Sequence, residues 1–343
     1  MNRKWSEFLA AAGAEVHEGV VDHFGDPRAE MAATADSDVF TDLSEFGVLA
    51  IVGRDARPFL HSQLTCDVEG LTDDNASFGC YCTPKGRVLA NFLLWHEADG
   101  FRMLLPRGLL AGIHNRLKKF VLRSNAAIED RSAERVILGL SGSKAFEAVA
   151  ELSGPLASDA LGVVRRDGVT AIAVPGRRVI VVGPLERGAE IWRVLARSAR
   201  PVGASCWRWL DIINGLPWIE PATQDRFVPQ MVNLELIGAV HFQKGCYPGQ
   251  EIVARMQYLG RPKRRLNLAH ANINEAPPAG EALVADNADD QPAGNVLNAA
   301  PAPRGGVDLL AVVQTAITAE STVRCGSPTG PSLEFRPLPY AVP

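Results

Sequence analysis

Nowhere in this 343-residue sequence does an apolar run approach the roughly 18 consecutive residues that a membrane-spanning helix needs. The stretch from Met1 to Glu18 includes Glu7 and lacks the long apolar run and small-residue cleavage site of a secretory signal. Both absences lead to the expectation of a cytoplasmic protein with no membrane partner. Excess positive charge is missing too: 35 Lys and Arg stand against 39 Asp and Glu, a net charge of −4. Such a chain has no global attraction to nucleic acid or anionic lipid, so contact of that kind needs a local basic patch. Cysteines are few and scattered, six in all: Cys66, Cys80, Cys82, Cys206, Cys246 and Cys325. There is no C-x₂-C pair, and none of the seven histidines stand three or four apart. That pattern excludes a disulfide framework and predicts reduced thiols with no resident metal site. No internal repeat is present.

What is there reads as a folded, soluble chain, 47% hydrophobic and 22% charged, long enough for two or three domains. Trp5 to Ala14 has helical spacing, whereas residues 15–40 are polar and mixed and read as an extended arm or loops. Gly47 to Gly53 reads as a buried strand, with Asp55 as the cap of a helix carrying Ala56, Leu60 and Leu64 on one side. Pro84-Lys85-Gly86 is turn chemistry between strands. Strands are predicted at Arg87–Trp95, Phe101–Leu105, Arg135–Leu140, Thr170–Val174 and Arg178–Val182. Helices are predicted at Leu109–Phe120, Ser143–Leu152, Glu186–Arg197 and Trp207–Ile213. This irregular alternation predicts an α+β fold. After Lys263 the character changes. From Pro277 to Pro303 the chain is rich in Ala, Gly, Pro, Asn and Asp. Short apolar runs at Ala282–Val284, Leu309–Val313 and Leu333–Phe335 lie between turn residues, which favours a small C-terminal β-barrel. The expected division is 1–34 as an N-terminal helix and arm, 35–260 as an α+β region, and 261–343 as the barrel domain.

The stretch that carries chemistry is Lys244-Gly245-Cys246-Tyr247-Pro248-Gly249-Gln250-Glu251. A thiol reacts when its thiolate is favoured and solvent can reach it. Lys244 can supply positive charge. Gly245 and Gly249 leave the sulfur unshielded and permit a tight turn, which Pro248 stiffens. A helix beginning near Gln250 would add its positive N-terminal end. Gln250 and Glu251 can hold the loop in shape. Every local feature suits an exposed, reactive Cys246, against the alternative of a small buried hydrophobe.

These residues resemble the K-G-C-[FY]-x-G-Q-E motif of the YgfZ family. The likeness extends to Phe227-Val228-Pro229-Gln230, to Gly53–Asp67 and to Tyr81–Val88 (Y-C-x-P-K-G-R-V), and more weakly from about residue 35 to the end. The resemblance implies a fold related to the glycine-cleavage T-protein, with α/β domains around a central channel. It implies binding of tetrahydrofolate or a derivative, and a role in assembly or repair of iron–sulfur client proteins. Through them it implies an indirect link to tRNA methylthiolation. It assigns the working cysteine to Cys246 and its motif partners to Lys244, Gly245, Tyr247, Gly249, Gln250 and Glu251. Asn91 and Arg255 are added as candidate cofactor contacts.

Two departures bear on activity. T-proteins carry an Asp-Asp pair where this chain reads Ala90-Asn91, and an amide cannot take up a proton at neutral pH. That argues against the alternative reading, a tetrahydrofolate-dependent aminomethyl or one-carbon transferase, and against a turnover enzyme of that type. Asn91 either contacts a ligand or satisfies backbone groups. Relatives also place a pterin-holding Glu where this chain has Ile213. Asp211, two residues earlier, points about 200° away on a helix. Cys80 and Cys82, two apart on a strand, share a face and can both turn to the core. Arg116, Lys118, Lys119 and Arg123 read as a solvated helix end. Arg261, Lys263, Arg264 and Arg265 form a second basic group that would suit a folate polyglutamate tail or RNA phosphate. The tryptophans at 192, 207 and 209 read as core residues.

Overall fold

The computed structural model describes residues 1–157, 161–286, 293–317 and 321–343. The first half of the chain runs α1 (Arg3–Ala11), β1 (Glu15–His17), β2 (Val20–His23), α2 (Pro27–Asp36), β3 (Val39–Asp42), β4 (Phe46–Val52), α3 (Ala56–Gln63), β5 (Ala76–Cys82), β6 (Val88–Glu97), β7 (Gly100–Pro106), α4 (Arg107–Val121), β8 (Ala127–Asp130) and β9 (Arg135–Ser141). It continues through α5 (Ala145–Ser153), β10 (Val163–Arg166), β11 (Val169–Val174), β12 (Arg178–Pro184), α6 (Gly188–Leu195), β13 (Arg200–Val202), α7 (Ala204–Ile213) and α8 (Gln250–Leu259). The C-terminal strands are β14 (Arg264–Ala271), β15 (Ala282–Ala285), β16 (Gly294–Pro301), β17 (Val307–Gln314), β18 (Val323–Cys325) and β19 (Leu333–Arg336). The α+β class expected from the alternation is what forms. Among the described residues, no helix is long and apolar enough to cross a membrane.

The chain divides into two compact units. The first comprises Met1–Phe59, Glu69–Ser77 and Phe92–Trp207. It holds a six-stranded sheet in the order β10-β11-β12-β9-β3-β13, antiparallel except for the β13–β3 pair at one edge. All of β11 is buried. A strand covered on both faces loses the polar alternation of a half-exposed one and reads as a continuous apolar run, as Val169–Val174 does. Its core joins Val136, Leu138 and Leu140 of β9 to Val149 and Leu152 of α5 and to Ile191 and Leu195 of α6.

The N-terminal segment differs from its expectation as an arm. Residues 15–23 form the β1–β2 hairpin, and α2 follows, capped by the Asp26 side chain on the N–H groups of Arg28 and Ala29 with Pro27 in the first turn. The cap and the proline start this helix locally, although its apolar residues make no clear stripe. Trp5, Leu9 and Val21 belong to the core of the first unit. Trp5 stacks on Phe8 at 5.1 Å, meets Trp192 edge-on at 6.1 Å and donates its indole N–H to Asp42 at 2.6 Å. Burial pushes the Asp42 carboxyl above its ordinary range, and the bonds from Trp5 and Ser44 oppose that push.

The second unit comprises Leu60–Val68, Phe78–Asn91 and Arg208–Pro343. Its sheet runs β18-β15-β16-β17-β14-β19, antiparallel throughout the described pairs. An isolated bridge between Arg324 and Ser332 links the segments at its two edges, so the sheet curls as the expected barrel requires. A register shift between Val296 and Asn298 adds local bend. Inside lie Leu283, Val296, Leu309, Ala311 and Val323. The Pro277–Pro303 stretch singled out in the sequence lies partly outside the described residues, at 287–292. The remaining five-stranded sheet, β5-β6-β7-β4-β8, includes two strands, β5 and β6, whose chains pass from one unit into the other.

Replacing Trp5 by Phe keeps a ring but removes the indole donor to Asp42. The substitution is expected to cost about 1–3 kcal/mol. The lost bond favoured the charged carboxylate, so the deficit should grow as the pH rises through Asp42's raised value and shrink as it falls below it. Melting temperatures at neutral and mildly acidic pH check both statements.

Candidate functional site

Cys246 is exposed, and the other five thiols are buried. The loop that presents it ends at Gly249, whose φ of +84° places it in the left-handed region as the residue before α8. A Cβ on Gly249 would lie 2.4 Å from the Thr83 carbonyl oxygen and 2.7 Å from the Gly86 backbone. Gly86 has φ +70°, and a Cβ there would stand 3.0 Å from Ile252 and 3.3 Å from the Gly249 carbonyl oxygen. The two turns therefore seat backbone on backbone: the clash requires glycine at 249, and the left-handed φ favours it at 86. Gly245 has no such need, because its Cβ would meet only His61, at 3.5 Å.

Lys244 braces the loop from the other side. Its Nζ donates to the carbonyl oxygens of His61 and Leu64, at the C-terminal end of α3, and lies 5.3 Å from the Tyr247 ring centre. A cation suits the unpaired carbonyls of a helix end. The structure thus adds a task to the charge expected of Lys244: it clasps the motif to α3. Thr65 adds a second clasp. Its Oγ1 accepts from the Cys80 N–H at 2.9 Å and donates to the Ala239 carbonyl at 2.6 Å. The His241 N–H donates to the Thr65 carbonyl at 2.9 Å.

Tyr247 is buried, and that burial raises its phenol pKa, with Cys80 and Cys82 adding to the effect. Cys80 and Cys82 share a face as expected, sulfur to sulfur 3.8 Å apart, and both are buried. The Cys82 thiol is held well above its ordinary range by its bond with Cys80 and by burial. Burial pushes Cys66 up to about 12. Cys66 and Cys82 therefore stay protonated at neutral pH, which fits core packing rather than chemistry. Among the described residues no group of His, Cys, Asp and Glu could hold a metal ion.

The Gln250 side chain reaches the Lys244 carbonyl at 3.5 Å, inside the loop. Glu251 and Arg255 pair with each other at 2.7 Å on the exposed face of α8. Asn91 is buried, donates to the Pro217 carbonyl at 2.7 Å and accepts from the Ile219 N–H at 2.8 Å. Of its two expected roles, this is the backbone-satisfying one. Asp211 accepts from the Trp218 indole at 2.9 Å. Sequence reasoning gave no role to Thr65 or Asn233. The Asn233 side chain donates to the Leu266 carbonyl and accepts from Arg265, from a left-handed backbone at φ 55°. Only that unusual backbone would have marked it, and no local motif announces it.

Residues 17–183 match the model of the GCVT N-terminal domain. The chain is similar to the tRNA-modifying protein YgfZ of Yersinia pseudotuberculosis, 31% identical over 303 residues, covering 88% of this chain and 92% of that protein. The protein of the same name from Pectobacterium carotovorum is 32% identical over 304 residues, covering 88% and 91%. Among solved structures, the glycine cleavage system aminomethyltransferase T of Bartonella henselae superposes with a TM-score of 0.82. The match covers 99% of this chain and 97% of that one at 17% identity, a likeness of fold.

The interlocked glycines generate a prediction. Gly249→Ala should lose about 1–3 kcal/mol, from left-handed strain and the clash with Thr83, whereas Gly245→Ala should stay within about 0.5 kcal/mol of the parent. Thermal melting of the two variants side by side checks the contrast.

Proposed function

Since the chain belongs to the YgfZ family, we propose that it supports tRNA modification as an accessory to iron–sulfur proteins, with Cys246 as the working group. The observation that carries this reading is the exposure of Cys246 alone among six thiols, on a loop clasped by Lys244 and by Gly249. A lone accessible thiol can attack an electrophile or give one soft ligand to an iron in a client protein. Lys244, Gly249 and Gln250 act as positioning residues, because they hold the loop at its own backbone and at α3. Tyr247 anchors the loop by its buried ring.

Tetrahydrofolate or a derivative is part of the proposal through the family resemblance and the T-protein-like fold. The residues at the mapped positions do not fit a carboxylate-held pterin. Ile213 has no acceptor, Asp211 bonds the Trp218 indole, and Asn91 bonds the 217–219 backbone. A cavity of about 760 Å³ on the C-terminal sheet, bordered by Arg265, Asn267, Thr315 and Ser332, is lined by none of these three. The absence of carboxylates at Ala90 and Asn91 also removes the proton-handling groups that an aminomethyl transferase would use.

A strain lacking its own YgfZ protein and complemented with this chain should recover tRNA methylthiolation. The Cys246→Ala variant, with an unchanged melting temperature, should give no rescue. Full rescue by that variant would remove Cys246 from the function.

A further inference from the structure

The large exposed hydrophobic side chains of the second unit include Tyr258 and Leu259, 67% and 85% exposed, at the C-terminal end of α8. The Tyr258 ring stands edge-on to Phe242 at 6.1 Å, which fixes one side and leaves the other to solvent. Beyond it the chain carries Arg261, Lys263 and Arg264. From Ile252 to Asn274 there is no acidic residue, in a protein whose net charge is −4. Arg255 pairs with Glu251 and Arg265 with Glu235, but Arg261, Lys263 and Arg264 make no ion pair among the described residues. Their backbone is nevertheless fixed. Thr315 donates its N–H to the Lys263 carbonyl at 2.9 Å and its hydroxyl to the Pro262 carbonyl at 3.3 Å, and Arg264 pairs with Gln314 in the sheet.

We infer that this end of α8 is a docking surface for single-stranded RNA, with Tyr258 stacking on a base and Arg261, Lys263 and Arg264 on the phosphates. The inference rests on the tRNA-modification reading and names the partner surface for it. Aromatic rings beside cations are the combination that binds single strands without a sequence code. An acidic protein would need the cations but not the open ring face. Helix α8 begins four residues after Cys246 and spans ten residues, about 15 Å. A strand held at its far end therefore lies within a helix length of the motif.

The test is fluorescence anisotropy of the full-length protein with a labelled uridine oligoribonucleotide across a salt series. Three phosphate contacts predict a log–log salt slope of about −2. Tyr258→Ala should weaken binding about 5- to 150-fold and leave the slope unchanged. Arg261→Glu with Lys263→Glu should weaken binding at least about tenfold and flatten the slope. The same charge change at Lys118 and Lys119, on α4 of the first unit, should leave binding in place. Equal loss from the α4 pair would reduce the effect to net charge and overturn the inference. So would indifference to Tyr258→Ala, or competition by a polyglutamate peptide as effective as unlabelled RNA, which would assign the surface to an acidic protein or a polyglutamate tail. Loss of RNA binding in the Tyr258 variant is read separately from Cys246-dependent rescue. Absence of RNA binding alongside intact rescue would sink this inference and leave the thiol reading standing.

Discussion

The backbone-to-backbone seat of Gly249 on the Thr83–Gly86 turn is the constraint from which the rest of the site follows. A Cβ on Gly249 would sit 2.4 Å from the Thr83 carbonyl oxygen, and one on Gly86 would be strained by its φ of +70° and tight against Ile252. With that seat made, α8 starts at Gln250, Tyr247 is driven into the interior and Cys246 is left outside. The Lys244 clasp on α3 and the Thr65 bonds to the 239–241 backbone close the other end of the loop. These contacts also account for the composition of the second unit, which draws in residues 60–68 and 78–91 from far upstream.

The contrast among the cysteines follows from the same arrangement. Cys66, Cys80 and Cys82 sit buried on the segments that receive the motif loop, and burial helps keep the thiols of Cys66 and Cys82 protonated. Cys246 sits on the loop itself. The absence of paired carboxylates at Ala90 and Asn91 fits this division. Asn91 offers no carboxylate base, and its amide fixes the backbone of Pro217 and Ile219 instead.

Much of this was legible in the sequence, and the limits have physical causes. The Lys-Gly-Cys-Tyr-Pro-Gly run declared a stiff turn because glycine and proline act locally. The apolar periods placed α4, α5, β9 and β12 within a few residues. The partners of Lys244 were not legible, since His61 and Leu64 lie 183 and 180 residues away in sequence and a carbonyl acceptor leaves no mark on residue type. The need for glycine at 249 but not at 245 is likewise set by what lies opposite. Residues 15–40 misread as an arm or loops because a short hairpin and a weakly amphipathic helix carry little periodic signal. The missed strand β14 was masked by the basic residues at its start.

The central claim is that the fold leaves one thiol to solvent and withdraws five. Counting alkylated cysteines by mass spectrometry after brief exposure of the native protein to iodoacetamide tests it directly. One modification, at Cys246, is the predicted result, with all six cysteines modified only after denaturation. A native protein that reacts at none of them, or at several with equal speed, would contradict the account.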